Sequence, residues 1–227
     1  MIDTLLSLLA PHYCYGCHKT GPLLCDNCKY NITSEPYERC IVCEKPSLLQ
    51  TGLCTVCRVP YQRAWCIGER TDELQRLIGD YKFQNVKAAY KTLGELLHDV
   101  LPELPPSTIV VPVPTVSGHV RQRGYDHMLL IARYLAQQRG LAVCTDLVRI
   151  TTTKQRDAGR QQRIRQAKAA FLCTKTLNGE VPYLLLDDVV TTGATIKYAT
   201  KALQDAGAQT VWVAAASRQT YSAPHAP

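Results

Sequence analysis

The sequence predicts an α/β fold, a parallel sheet flanked by helices, preceded by a small cysteine-rich module. Three observations carry that prediction. Four Cys-x-x-Cys pairs fall within residues 14–57 and none after them. From about Tyr61 onward, strand-like and helix-like stretches alternate, which is the signature of a sheet built from crossover units. One wholly apolar run, Leu184 to Leu186, then leads into Asp187, Asp188 and a loop rich in hydroxyls. The expected organisation is a cysteine module with a short leading helix over 1–60, the α/β domain over 61–218, and a frayed tail over 219–227.

In chain order, Leu5, Leu6, Leu8 and Leu9 suggest a short docking helix. Residues 72–82 and 86–101 read as helices, the second with Ala88, Ala89, Leu93, Leu96 and Leu97 at helical spacing and stopped by Pro102, Pro105 and Pro106. Residues 108–114 form a β-branched run whose Pro112 and Pro114 remove donors on the same side of the strand, so pairing must lapse there. A helix over 127–138 ends near Gly140, and a strand over 142–149 follows. The polar, basic stretch 151–168 separates it from a strand at 182–187, a helix at 194–205 stopped by Gly207, and a last strand at 210–216.

With 227 residues and 46% hydrophobic content, the chain can bury one sizeable core. Its apolar runs are too short to span a bilayer, so no membrane insertion is expected. Asp3 and the absence of Lys or Arg from the first ten residues argue against a secretory leader and for a cytoplasmic protein. The formal charge of +7 invites a nucleic-acid reading. It falls to +3 once eight thiolates and two divalent ions are counted, so only its local placement is informative.

Eight of the eleven cysteines form the pairs Cys14/Cys17, Cys25/Cys28, Cys40/Cys43 and Cys54/Cys57. Two thiolates three positions apart on a tight turn can aim at one ion, and two such turns complete the tetrahedron that zinc prefers. Paired in order, they make two structural Zn2+ sites, with no ligand position left for catalysis; the spacing itself leaves the pairing of the knuckles open. The metal substitutes for a core that about fifty residues cannot build. Cys66, Cys144 and Cys173 sit in apolar contexts and read as core residues.

The segment Leu184-Leu185-Leu186-Asp187-Asp188-Val189-Val190-Thr191-Thr192-Gly193-Ala194-Thr195 has a mechanical reading. A short loop with one glycine opening a helix can wrap backbone N–H groups around a phosphate at the positive end of the helix dipole. Thr191, Thr192 and Thr195 add hydroxyl donors. Two adjacent carboxylates suit vicinal hydroxyls or hydrated Mg2+. The ligand described is a sugar phosphate.

Residues 184–195 resemble the phosphoribosyl pyrophosphate (PRPP) signature of type I phosphoribosyltransferases. That resemblance implies that Asp187 and Asp188 hold the ribose hydroxyls of PRPP with Mg2+, and that Thr191, Thr192, Gly193, Ala194 and Thr195 hold its 5′-phosphate. Val111-Pro112-Val113-Pro114, followed by Arg121 and by Arg123-Gly124-Tyr125-Asp126-His127, is similar to the ComF/GntX competence-associated family, as are Lys82-Phe83 and the cysteine ribbon itself. By the same resemblance, Pro114, Thr115, Arg121 and Arg123 form the pyrophosphate loop. Asp126 and His127 stand where the family carries amides, and Ala158 and Gln166 where it carries leucine and asparagine.

Residues 149–168 hold seven cations, including Lys154, Arg160, Arg163 and Arg165, against Asp157 alone. The segment matches the lid of these transferases in position, which implies that Lys154 and Arg163 stabilise the leaving pyrophosphate. A rival use of the charge is single-stranded DNA or a competence translocation protein, although the segment has no aromatic residue for stacking. Thr191 occupies the place where purine-type relatives carry an acid, and a threonine is no base at neutral pH. Asp126, Asp157 or His127 would have to serve, or the acceptor needs none, or the protein senses PRPP without turnover.

Overall fold

The computed structural model describes residues 12–47, 51–70, 72–150 and 170–219. The expected leading helix, most of the tail, and the basic segment with Lys154, Asp157, Arg160, Arg163 and Arg165 lie outside the described residues.

Five strands form one parallel sheet: β1 (Arg63–Cys66), β2 (Ile109–Pro112), β3 (Ala142–Val143), β6 (Pro182–Val190) and β7 (Thr210–Arg218), in the order β1-β7-β6-β2-β3. The fold is therefore α/β, as expected. Its helices are α1 (Asp26–Thr33), α2 (Asp72–Phe83), α3 (Ala89–Val100), α4 (Ser117–Arg123), α5 (His127–Arg139) and α6 (Ala194–Asp205).

Two apolar layers sandwich the sheet. On one face Leu184, Leu186, Ala214 and Ala216 pack against the buried stripes of α2, α3 and α5, together with Leu23 and Leu24 from the cysteine module. On the other, Leu185, Val211 and Val213 pack against Ile196, Ala199 and Leu203 of α6, with Ile41 of the module. The module thus shares both cores with the sheet. Gly52 shows how closely they fit: its φ is 69°, and a Cβ there would come within 2.0 Å of the Ala64 carbonyl oxygen.

Pairing lapses beside the prolines as the sequence predicts. The β2–β3 ladder ends at Val110, whereas on the opposite side β2 follows β6 through Pro112 and Val113 N–H donates to Leu186 O at 2.8 Å. The missing donor of Pro112 faces β3.

Three expectations need correction. The strand at 142–149 is two strands: β3 joins the sheet, while β4 (Leu147–Arg149) turns away to pair antiparallel with β5 (Phe171–Cys173). The second helix begins at Ala89, because Asn85 adopts a left-handed φ of 56° and the chain turns first. Cys144 and Cys173 are only half-buried, and only Cys66 of that trio lies in the core.

Candidate functional site

Strand order reverses between β6 and β2. From β2 the chain moves outward to β3, and from β6 it moves the other way to β7. Beyond the carboxyl ends of the strands at such a switch point, an open parallel sheet leaves a crevice for a ligand. The β2–β6 ladder stops at Pro112–Leu186, one residue before Asp187, while β6 continues alongside β7 through Val190. Several of the expected site residues lie at this end of the sheet: Asp187 and Asp188 on β6, the loop Thr191–Gly193 with Ala194 and Thr195 opening α6, and Pro114 and Thr115 after β2.

The two acids are 8% and 9% exposed and live in different environments. Asp188 Oδ2 takes two contacts, from Lys82 Nζ at 2.7 Å and His127 Nε2 at 2.5 Å. Lys82 lies in the last turn of α2 and His127 begins α5, so two helix ends deliver these groups to one oxygen. Burial pushes the Asp188 carboxyl upward, but the His127 hydrogen bond and the Lys82 ammonium outweigh it and hold the group far below the usual range. Asp187 has no such partner. Burial first, and the charge of Asp188 second, push it up to about 8, and its Oδ1 accepts the Asp188 N–H at 3.0 Å. The two environments thus split the pair, with Asp188 the more acidic member and Asp187 the one that keeps its proton to higher pH.

The tautomer of His127 follows from its other contact. Arg123 Nη1 lies 3.0 Å from Nδ1, and a guanidinium can only donate, so Nδ1 is the bare nitrogen and Nε2–H donates to Asp188. Thr115 Oγ1, 3.1 Å from the same Nδ1, donates instead to Asp126 Oδ1 at 3.0 Å. Asp126 caps α5 by accepting the Met128 and Leu129 N–H groups. Among the described residues, the two positions that depart from the family pattern thus have definite work: one caps a helix and the other bonds the acid. Arg123 also lies over the exposed ring of Phe83, 5.8 Å from its centroid. Arg121 is exposed in the last turn of α4 and joins none of these contacts.

The loop after β6 has the expected form. Gly193 takes a φ of 72° at the N-cap of α6 and itself offers no side-chain acceptor to the first turn. Thr192 Oγ1 accepts the Ala194 N–H at 3.4 Å.

The cysteines gather as Cys14/Cys17/Cys25/Cys28 and Cys40/Cys43/Cys54/Cys57, each set with its ligand atoms within 4.8 Å of one another. A tetrahedron of ~2.3 Å zinc–sulfur bonds has edges of about 3.8 Å. The Cys17–Cys25 and Cys43–Cys54 sulfurs, 3.8 and 3.4 Å apart, fit that size, so each cluster can hold zinc. The two knuckles repeat each other. Cys14 N–H donates to Lys19 O and Cys40 N–H to Lys45 O, while His18 and Glu44 each follow the second cysteine in a left-handed conformation. The first knuckle docks on the helices, with Tyr15 OH donating to Asp80 at 2.6 Å and Lys29 paired to Glu95 at 2.7 Å.

A cavity of about 730 Å³ lies away from the acids, between α1, the 35–39 segment and the turn after β1.

No family model matches the chain. Curated proteins do resemble it. Competence protein F of Haemophilus influenzae is 28% identical over 205 residues, covering 84% of this chain and 88% of that protein. The DNA utilization proteins YhgH of Salmonella typhi and Salmonella typhimurium are each 28% identical, over 220 and 222 residues, covering 86% of this chain and 96% of theirs. These likenesses support the ComF family. The likeness covers more of this chain than residues 61–227 could supply, so it extends into the cysteine module.

What the sequence reading missed is the joint grip of Lys82 and His127 on Asp188. Lys82 directly follows Tyr81, the last buried residue of the α2 stripe, which was the available signal that its ammonium sits at the sheet.

Proposed function

We propose that this chain binds PRPP together with Mg2+ at the β6–β2 crevice and transfers its phosphoribosyl group to an acceptor, in the service of DNA uptake and use. One observation carries the reading: two adjacent buried acids at the switch point lead directly into a short loop that opens a helix at Gly193, whose N-cap position offers no side-chain acceptor. The relatives named for competence and DNA utilization supply the biological setting.

In this reading the 191–195 loop binds the 5′-phosphate through backbone N–H groups and threonine hydroxyls. Asp187 and Asp188 face the ribose hydroxyls. Lys82, Arg123 and the Pro114–Thr115 turn set the positive field into which pyrophosphate departs, and Lys154 and Arg163 add to it. Bound with PRPP, Mg2+ neutralises charge on the pyrophosphate. The C1–oxygen bond breaks with its electron pair going to pyrophosphate, and a lone pair on the acceptor forms the new bond at C1.

Binding without turnover is the second reading. It is favoured by Thr191, which cannot take a proton from an acceptor, and by the engagement of Asp126 and His127 within the protein.

Calorimetric titration with PRPP and Mg2+ on wild type and Asp187→Ala/Asp188→Ala, with pyrophosphate release measured over bases and amines, separates the readings. Wild-type binding abolished in the double variant, with release for some acceptor, supports transfer. Binding without release supports the sensor, and a wild type that binds no PRPP removes both.

A further inference from the structure

The second cysteine knuckle touches the phosphate loop, and a buried arginine fastens the two together. Arg218 closes β7 and is 4% exposed. One arm of its guanidinium, Nη1, donates to Val190 O at 3.0 Å; Val190 is the last residue of β6 before Thr191. The other arm, Nη2, donates to Val42 O at 3.0 Å and pairs with Glu44 Oε1 at 2.9 Å. Val42 lies inside the Cys40–Cys43 turn, and Glu44 follows it. Val42 also abuts the loop directly: a Cβ on Gly193 would meet its Cγ2 at 3.3 Å.

The first knuckle carries Gly16 where the second carries Val42. Tyr15 within it bonds Asp80 and Arg76 on α2. One repeated device therefore has two destinations, the helical layer for Cys14–Cys17 and the crevice loop for Cys40–Cys43.

We propose that Arg218 is a positioning residue for the 191–195 loop, and that through it metal at Cys40/Cys43/Cys54/Cys57, and not at the first cluster, raises the affinity of the crevice for a sugar phosphate. The phosphate part rests on the function proposed above. Backbone hydrogen bonds close the 40–43 turn, and a cation offsets the mutual repulsion of the four thiolates and so stiffens it. That turn fixes Val42 O and the Glu44 carboxylate, these fix the guanidinium, and the guanidinium fixes the strand end from which the loop springs. Coupling of this kind is reciprocal, so a bound sugar phosphate must tighten the second metal centre by the same factor that the metal tightens the sugar phosphate.

The test uses the full chain with Val42→Gly, which installs the residue of the first knuckle, together with Arg218→Met, Arg218→Lys and Glu44→Gln. PRPP with Mg2+ is titrated calorimetrically, and alkylation of each cysteine during chelation is mapped by mass spectrometry with and without PRPP. Near-ultraviolet dichroism of the Trp65–Trp212 pair, whose rings meet edge-on at 6.1 Å, reports whether the sheet is intact. We expect Arg218→Met to lower affinity tenfold or more and Val42→Gly roughly fivefold, with two zinc ions retained, and Arg218→Lys to recover part of the loss. PRPP should slow alkylation of Cys43, Cys54 and Cys57 but not of Cys17 and Cys28, and Arg218→Met should abolish that protection. Affinities within twofold of wild type, or equal protection of both clusters, would overturn the proposal. If Arg218→Met fails to fold, Val42→Gly and Glu44→Gln decide. If wild type binds no PRPP, the functional reading fails on its own, and hydrogen exchange of residues 190–196 still tests the brace: exchange unchanged in Val42→Gly and Arg218→Met sinks it.

Discussion

Removing either acid of the crevice should move stability, and in opposite directions. Asp188→Ala takes away the acceptor of both Lys82 and His127, leaving an ammonium whose side chain is 19% exposed and an imidazole that is 6% exposed. Breaking a buried ion pair from one side costs about 3–5 kcal/mol. Because the ammonium keeps some access to water, the lower figure, about 3 kcal/mol, applies. In a chain of this size that is a fall in Tm of roughly 6–12 °C. Asp187→Asn should do the reverse. The wild-type carboxyl, moved from 3.8 to about 8, holds its proton in the native state through a window in which the unfolded chain has lost it. Stability therefore falls as pH rises from about 4 to 8, by at most roughly 6 kcal/mol, and the asparagine escapes that loss. Asp188, with its value depressed, has the other sign: its contribution is present above about 4 and disappears only as pH falls below that. Urea unfolding of both variants at pH 5 and pH 9 checks this. Asp187→Asn should exceed wild type by about 1–2 kcal/mol at pH 5 and by up to roughly 6 kcal/mol at pH 9. A double-mutant cycle of Lys82→Met with Asp188→Ala should show coupling of about 1.5–3 kcal/mol. Additivity within about 0.5 kcal/mol, or an Asp187→Asn gain independent of pH, would refute the split between a charged and a neutral acid.

Gly16→Ala would set a Cβ 2.6 Å from Cys28 Sγ, so bound zinc measured by mass spectrometry should fall from two ions to one per chain. Gly94→Ala would place a Cβ 2.4 Å from Tyr134 Cδ1 where α3 crosses α5; denaturant unfolding should show a loss of about 1–3 kcal/mol without loss of zinc. Under the proposed function, Asp187 must lose its proton to meet Mg2+ and ribose, so PRPP affinity should rise with pH by up to about tenfold per unit between 6 and 8 and level off above. In calorimetry, Asp187→Asn should show weaker binding that lacks this rise.

The cysteine clusters and the crevice loop were legible because each is local. A Cys-x-x-Cys turn, or an apolar strand running into two acids and a glycine, carries its geometry within about a dozen residues. Helix α6 was read at its observed bounds because Ile196, Ala199 and Leu203 share one face of it. Elements made by tertiary pairing were not legible. Strand β1 is four residues long and exists because Ala64 and Cys66 find Val213 and Ala215 on β7. Helix α1 buries none of its residues, and α4 buries none either, so neither leaves an apolar period to detect. The grip on Asp188 joins residues 61 and 106 positions apart in the chain, and no window of sequence contains it.

The cysteine module bears on the crevice more closely than its sequence position suggests. A small metal-stabilised unit standing ahead of a sheet would ordinarily be a detachable module joined by a linker. Here Leu23, Leu24 and Ile41 are at most 6% exposed because they fill the two layers of the α/β core, and Gly52 leaves no room for a side chain against β1. Burial of that kind packs the module and the sheet into shared cores, so a metal held by the cysteine clusters would contribute to the stability of the whole fold. The same geometry gives the crevice a protein wall on the β7 side. There Val42 meets Gly193, and Arg218 bonds Val42 and Val190 at once. A loop that must close its N–H groups around a phosphate needs a fixed base. The sheet alone supplies one side of that base, because β2 has already parted from β6 at Pro112. The second knuckle supplies the other.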